Sequence, residues 1–129
     1  MIYIDTSALL RVVFPDDSTP AVERLLDDPG AELISSTLLW VEARRGTARR
    51  APRRLPRVDL LLDRVQAIAI GDAVIASAGH LPDPLLRSLD AIHLATALLI
   101  REDVELLLTY DDRLAEAARA HGIPTAAPA

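Results

Sequence analysis

The chain has 129 residues, half of them hydrophobic, and a formal net charge of −5. Its length and apolar fraction exclude a disordered protein and favour one domain, residues 1–129, with its own core. The absence of cysteine excludes disulfides and zinc–thiolate sites, and the absence of lysine excludes phosphate-binding lysines and Schiff-base chemistry.

Short apolar segments alternate with helical patterns along the whole chain. The predicted strands are 1–4, 32–35, 67–70, 104–109 and 123–126. The predicted helices are 6–14, 19–28, 38–50, 58–66, 72–79, 89–101 and 112–120, with Thr19 and Ser88 as N-caps and a linker or kinked helix pair at 51–57. This alternation predicts an α/β fold in which helices cover both faces of a parallel sheet.

No segment is long and apolar enough to span a bilayer, and the N-terminus lacks the basic region and apolar core of a signal peptide. We therefore expect a cytoplasmic protein with no membrane partner.

Three acidic residues stand where predicted helices begin. Asp5 follows the first strand, Asp111 follows the strand 104–109, and Asp90 lies in the first turn of an apolar helix. Each alone is explained by helix capping or by the helix dipole. Ligands of parallel sheets bind beyond the carboxyl ends of the strands, however, so these acids are also expected at one edge.

Glu42 shares the apolar stripe of its helix with Leu38 and Leu39. Buried acids are uncommon unless they are paired, so the position of Glu42 has two alternative explanations. Glu42 forms an ion pair with Arg45 or Arg49, or it belongs with the three acids at the sheet edge.

Four neighbouring carboxylates would repel one another unless a cation lay between them. Oxygen ligands without cysteine favour Mg²⁺ or Mn²⁺. Zinc is disfavoured because His80, His93 and His121 have no ligand-like spacing, and His93 is predicted to be a packed helix residue.

Four segments in order carry a family resemblance: IDTSALL at 4–10, WVEARRG at 40–46, LRSLDAIHLATAL at 86–98 and LLTYDDRLAEAARAHGIP at 107–124. Together they resemble the PIN-domain ribonucleases, and among them the VapC toxins of bacterial toxin–antitoxin pairs. The resemblance implies a three-layer α/β sandwich with a central parallel sheet of four or five strands. It also implies Mg²⁺- or Mn²⁺-dependent endonucleolytic cleavage of RNA, a homodimer, and a VapB-type antitoxin that blocks the site.

The family's acidic quartet corresponds to Asp5, Glu42, Asp90 and Asp111, which the resemblance makes catalytic and metal-binding residues. The supporting positions are Thr6, Ser7, Thr109 and Asp112, the last of which could share the role of Asp111. The chemistry expected is in-line attack by water, assisted by the metal, which leaves 5′-phosphate and 3′-hydroxyl ends without any catalytic histidine.

Seven arginines and no acid occupy residues 44–57, RRGTARRAPRRLPR. This segment is either an ordinary solvated surface or a site that binds the phosphates of RNA. The residues predicted to bind RNA are Arg44, Arg45, Arg49, Arg50, Arg53 and Arg54. Only four aromatic residues exist, too few for a base-stacking platform, so recognition is expected to rest on backbone and shape.

The first two helices are unusually apolar, which predicts either a groove for an antitoxin peptide or ordinary core packing. The residues concerned are Leu9, Leu10, Val13, Phe14, Val22, Leu25 and Leu26.

Other enzyme classes fit less well. A phosphotransfer receiver needs an acidic pair after its first strand and a late lysine, and an aspartate-nucleophile phosphatase needs Asp-x-Asp where this chain has Asp5-Thr6-Ser7. A PIN-like binding module with little or no catalysis stays open, and metal-dependent cleavage separates it from the nuclease.

Overall fold

A computed structural model describes residues 1–129 and shows a five-stranded, entirely parallel sheet with the strand order β3-β2-β1-β4-β5. The strands are β1 (Ile2–Ile4), β2 (Leu33–Ser36), β3 (Val65–Ile68), β4 (Leu106–Leu108) and β5 (Thr125–Ala126). The predicted α/β class with a central parallel sheet is confirmed.

Seven helices connect the strands. They are α1 (Thr6–Val13), α2 (Thr19–Leu26), α3 (Leu38–Arg50), α4 (Leu55–Leu62), α5 (Asp72–Gly79), α6 (Ser88–Leu99) and α7 (Asp112–Ala120), and a 3₁₀ turn at Pro52–Arg54 joins α3 to α4. None of these helices has the length and apolar character needed to cross a bilayer.

Alternate residues of the strands point to opposite faces of the sheet and contribute to two hydrophobic cores, one on each face. Ile2 and Ile4 of β1 pack with side chains from α1 to α4. Tyr3, between them, faces the opposite way and packs with side chains from α6 and α7. The continuous apolar run in β1 therefore reflects burial on both sides, as parallel sheets require.

The strand order reverses direction at β1. From β1 the chain moves to β2 and β3 on one side, and it later returns to form β4 and β5 on the other. Ile4 and Leu108 are register partners at the carboxyl ends of β1 and β4. The crevice above these two strands is the topological switch point, where ligands bind in open α/β sheets.

The predicted helix 58–66 and strand 67–70 are displaced, and this prediction was wrong in register. Helix α4 begins three residues earlier because Pro56 lies in its first turn, where a missing N–H costs nothing. Strand β3 consequently starts at Val65, which is buried against the sheet, while Gln66 and Ala67 are exposed. An edge strand needs no continuous apolar run, which is why AIAI at 67–70 was misleading.

Two predicted N-caps were also wrong. Ser88 is the first residue of α6 and Arg87 precedes it, without any side-chain cap. Thr19 lies inside α2, and its hydroxyl donates to the carbonyl of Arg11 and accepts the Asp16 N–H. This hydroxyl therefore ties α2 to the end of α1.

The apolar residues of α1 and α2 divide between core and surface. Four are buried in the core, namely Leu9, Val13, Val22 and Leu26, and three are only partly buried against it, namely Leu10, Phe14 and Leu25. Core packing therefore explains most of this apolar character.

Candidate active site

Asp5 caps α1 directly after β1. Its Oδ1 accepts the Ala8 N–H at 3.0 Å and the Ser7 hydroxyl at 2.7 Å, and its Oδ2 accepts the Thr109 hydroxyl at 2.5 Å. The residue is only 4% exposed. Burial raises the pKa of the Asp5 carboxyl above its ordinary value, and these hydrogen bonds offset only part of that rise.

Ser7 and Thr109 join the ends of the two central strands. The Thr109 hydroxyl donates to Asp5 and accepts the Asp111 N–H at 3.0 Å, and the Ser7 hydroxyl accepts the Tyr110 N–H at 2.8 Å. The hydroxyls of Ser7 and Thr109 lie 3.3 Å apart. Asp5 is therefore held from both sides by the loop that carries Asp111.

Asp111 caps α7 as Asp5 caps α1. Its Oδ1 accepts the backbone N–H groups of Arg113 and Leu114, at 2.9 and 3.0 Å, and its Oδ2 has no protein partner. The next residue, Asp112, is exposed in the first turn of the helix. Both capping interpretations are confirmed, and each cap leaves one carboxylate oxygen with unused acceptor capacity.

Asp90 lies in the first turn of α6, and no hydrogen bond holds its carboxylate. It shares a polar surface depression with Asp111 and Asp112, and two arginines, Arg87 and Arg113, complete the lining. Burial raises the pKa of Asp90, and the negative charge of Asp111 raises it further. The charge of His93 lowers the pKa of Asp90, and the charges of Asp5 and Glu42 raise it, so Asp90 lies within reach of the other three acids of the group.

Glu42, in the second turn of α3, joins the group from the side of β2. Its Oε1 accepts hydrogen bonds from the Thr6 hydroxyl at 2.7 Å and from Nε2 of His93 at 2.8 Å. Burial would raise the pKa of this carboxyl, but the hydrogen bonds from His93 and Thr6 outweigh burial and lower it. Of the two explanations for Glu42, pairing with Arg45 or Arg49 was wrong, because His93 takes that place.

The arginine-rich segment lies on the last turns of α3, the 3₁₀ turn and the start of α4. Three of the arginines predicted to bind RNA make contacts within the protein. Arg44 pairs with Asp59, Arg54 donates to the Val13 carbonyl at 2.6 Å, and the guanidinium of Arg50 lies 4.0 Å from the centre of the Phe14 ring. The remaining three predicted RNA contacts, Arg45, Arg49 and Arg53, are exposed and make no side-chain hydrogen bond or ion pair.

The oxygen atoms available to a metal come from all four acids. Asp90 has two free oxygens, Asp111 and Glu42 have one each, and Asp5 keeps acceptor capacity only on Oδ2. This all-oxygen, anionic donor set suits a hard divalent cation. As the side chains stand, no three of the acidic and histidine residues are close enough to bind one ion together. Binding therefore requires side-chain adjustment or bridging water.

Sequence reasoning missed His93 and Tyr3 as parts of this site. His93 was expected only to pack, yet it contacts Glu42, and its Nδ1 lies 2.8 Å from the Tyr3 hydroxyl. The spacing of Asp90 and His93, one helical turn apart in α6, was the available signal. Nothing in the sequence pointed to Tyr3, whose hydroxyl accepts the Ser36 N–H at the end of β2.

Comparison with known proteins gives a consistent result. Residues 2–120 match the model of the PIN domain. Ribonuclease VapC35 of Mycobacterium tuberculosis is 41% identical to this chain, over 99% of the chain and 97% of that protein. Ribonuclease VapC46 of the same species is 37% identical, over 98% of the chain and 97% of that protein.

Solved structures share the fold at lower identity. A toxin–antitoxin complex from Klebsiella pneumoniae has a TM-score of 0.75 at 23% identity, and the alignment spans 100% of this chain and 98% of that one. Mycobacterium tuberculosis VapC20, described as a sarcin–ricin loop cleaving toxin, also scores 0.75, at 15% identity over 99% and 100% of the two chains. VapBC2 from Rickettsia felis, solved with a DNA fragment from its promoter, scores 0.71 at 18% identity, over 98% of each chain.

Proposed function

This chain belongs to the PIN-domain family of VapC-type ribonucleases, and from that premise we propose that it is a metal-dependent endoribonuclease acting as the toxin of a type II toxin–antitoxin pair. One observation carries the proposal: four carboxylates from separate elements gather at the topological switch point. Asp5 and Asp111 both bond to Thr109, Glu42 bonds to Thr6 beside Asp5, and Asp90 lines the same depression as Asp111. Each keeps acceptor capacity after its structural hydrogen bonds. The family supports the nuclease activity, and this donor set supports dependence on Mg²⁺ or Mn²⁺.

In the proposed site, Asp90 and Asp5 would hold the main ion, and Asp111 and Glu42 would complete the pocket directly or through water. A bound metal would supply polarisation of the phosphodiester, activation of water and stabilisation of the leaving oxygen. Ser7 and Thr109 keep the Asp5 carboxylate in place by hydrogen bonding to both of its oxygens. Asp112 lines the same depression as Asp111 and remains its possible substitute.

RNA binding in the proposal relies on the arginine-rich segment, because an acidic pocket repels a polyanion. Arg45, Arg49 and Arg53 are the members with uncommitted guanidinium groups, so they are proposed to contact RNA phosphates. Arg44 and Arg54 contribute less, since pairing within the protein already occupies them. Contacts of this kind position the substrate without reading its bases.

The proposed partners are a VapB-type antitoxin, which blocks the site, and a second copy of the chain in a homodimer. Structures of similar fold include a toxin–antitoxin complex and VapBC-1 from Haemophilus influenzae, which supports an antitoxin for this chain. The proposed place of action is the cytoplasm, where both RNA and antitoxin are available.

Cleavage of total cellular RNA by the purified protein tests the nuclease. We expect discrete cuts with Mg²⁺ or Mn²⁺, none with EDTA, and none from Asp90→Asn. Asp63→Asn is the matched control, because it makes the same chemical change at an exposed residue at the end of α4. Cuts that survive EDTA would contradict metal dependence. A folded wild-type protein that binds RNA without cutting it would favour the binding module.

Growth of a bacterial host tests the toxin assignment. Expression of the chain alone is expected to arrest growth, and co-expression of a small open reading frame encoded directly upstream is expected to relieve the arrest. The Asp90→Asn variant should be harmless at equal expression. Equal toxicity of that variant would show that growth arrest does not come from the acidic site.

A further inference from the structure

A chain of buried hydrogen bonds leads from the sheet to Glu42. The Ser36 N–H, at the end of β2, donates to the Tyr3 hydroxyl at 3.2 Å. The Tyr3 hydroxyl lies 2.8 Å from Nδ1 of His93, and Nε2 of His93 lies 2.8 Å from Oε1 of Glu42. Tyr3 is fully buried and His93 is 2% exposed, so neither hydroxyl nor imidazole has bulk water as an alternative partner.

The donors in this chain can be assigned by counting protons. A carboxylate oxygen can only accept, so the hydrogen bond between His93 and Glu42 places a ring N–H at Nε2. In the neutral imidazole, Nδ1 is then the unprotonated nitrogen, and it accepts the Tyr3 hydroxyl. The Tyr3 oxygen in turn accepts the Ser36 N–H.

The two oxygens of the Glu42 carboxylate therefore have different surroundings. Oε1 accepts two hydrogen bonds, from His93 and from the Thr6 hydroxyl, which fill its acceptor capacity. Oε2 has no hydrogen-bond partner in the protein. Rotation of the carboxylate would break both bonds on Oε1, so the arrangement keeps Oε2 as the oxygen of Glu42 that is free to accept.

We infer that His93 is a positioning residue, locked by Tyr3 as the Nε2–H tautomer, which orients Glu42 so that Oε2 is presented to the metal. This inference rests on the proposed metal-dependent function and assigns His93 no contact with substrate. A carboxylate or hydroxyl that fixes the tautomer of a histidine is a common device around metal sites. Here the histidine is not itself a proposed metal ligand. It hydrogen-bonds to Glu42, which is.

A purely packing role would make different demands on His93. Packing requires volume in the core between α3, α6 and the sheet, and it is indifferent to which ring nitrogen carries the proton. Orientation of Glu42 requires a donor at the place of Nε2. Glutamine places its amide nitrogen near that position, whereas the shorter asparagine reaches only the position of Nδ1, beside Tyr3.

Imidazole ¹⁵N NMR of the metal-free protein at about pH 8, above the ordinary histidine pKa of about 6.5, reads the tautomer directly. We expect a protonated Nε2 and an unprotonated Nδ1 for His93, assigned by comparison with His93→Gln. In Tyr3→Phe this preference should weaken. A protonated Nδ1 in the wild type would overturn the inference.

Calorimetric titration with Mn²⁺, together with thermal unfolding, separates positioning from packing. His93→Asn is expected to lower Mn²⁺ affinity by about 10–100-fold, the usual effect of losing an outer-shell partner, and His93→Gln to stay within a few-fold of wild type. In a Glu42→Gln background, His93→Asn should cause no further loss, because the histidine acts only through that carboxylate.

The outcomes distinguish the two proposals. If wild type binds Mn²⁺ and the Asn and Gln variants lose stability equally without any difference in affinity, His93 only packs and the inference fails while the proposed function stands. If His93→Asn weakens Mn²⁺ binding further in the Glu42→Gln background, its effect does not pass through Glu42 and the inference also fails. A folded wild type that binds no Mn²⁺ would contradict the proposed function, and the role given to His93 with it.

Discussion

Substitutions of Asp5 separate its structural role from its chemical one. Asp5→Ala removes the cap of α1, worth about 1 kcal/mol, and leaves the buried Thr109 hydroxyl and the half-buried Ser7 hydroxyl without their acceptor, at about 1–3 kcal/mol. The expected loss in the free energy of unfolding is therefore about 2–4 kcal/mol. In Asp5→Asn, the amide oxygen keeps the bonds from Ala8 and Ser7, and the amide nitrogen can donate to Thr109 once that hydroxyl rotates. Its expected cost is below about 1 kcal/mol, because the asparagine side chain replaces each hydrogen bond of the carboxylate.

Urea unfolding of the metal-free variants measures these differences, with the slope of the transition compared to verify a common unfolded state. Both variants should lose cleavage completely, although only Asp5→Ala should be strongly destabilised. If Asp5→Asn were as unstable as Asp5→Ala, the hydrogen-bond assignment would be wrong. A stable Asp5→Asn that still cuts RNA at the wild-type rate would remove Asp5 from the site.

Three further predictions concern charge. Asp90→Asn should stabilise the metal-free protein at neutral pH by about 0.5–2 kcal/mol, the usual range for a single stabilising substitution, because it removes repulsion from the neighbouring acids. The same change should weaken Mn²⁺ binding in the calorimetric titration. Because the folded-state pKa of Asp90 is raised, the folded protein retains a proton that the unfolded chain has released, so the contribution of Asp90 to stability should fall as pH rises from about 4 toward neutrality, and wild type compared with Asp90→Asn measures that fall. Saturating Mg²⁺ should reduce that fall, and a fall unchanged by Mg²⁺ would argue against binding at these acids. Replacing Arg45, Arg49 and Arg53 by alanine should weaken RNA binding and reduce the slope of log affinity against log salt by about 2, since each single-strand phosphate contact contributes about 0.7. The single change Arg24→Ala, at an exposed position of α2, is the control and should leave the slope nearly unchanged. An unchanged slope in the triple variant would place the RNA elsewhere.

The local features of the site were readable from sequence because each is decided within a few residues. Asp5 and Asp111 both follow strands and precede helices, and the same positions that make them caps place them at the sheet edge. Alternation of strands and helices then fixed the parallel sheet, and right-handed crossovers leave little choice about which edge the acids share. No long-range contact had to be known for these conclusions.

The partner of Glu42 could not be read in the same way. Its neighbours in sequence, Arg45 and Arg49, offered an obvious charge pairing along the helix, but the real donor, His93, is 51 residues away on α6. A contact between α3 and α6 depends on how both pack against the sheet. Local charge patterns carry no information about that packing.

The displaced α4 and β3 have a different cause. The pattern at 67–70 is more apolar than the strand that forms, yet Val65 pairs with Leu33 in the sheet. Helix α4 starts at Leu55, directly after the 3₁₀ turn, and Pro56 lies in its first turn. That proline was a local signal for an earlier helix start, and the apolar pattern at 67–70 was given more weight.

The most direct measurement is the chemistry of the RNA ends produced with Mg²⁺ or Mn²⁺. Metal-dependent attack by water at the four-carboxylate site predicts new 5′-phosphate and 3′-hydroxyl ends at discrete positions, absent in EDTA and absent with Asp5→Asn. New 5′-hydroxyl ends with cyclic phosphates, formed equally in EDTA, would show attack by the 2′-hydroxyl and would contradict the proposed mechanism.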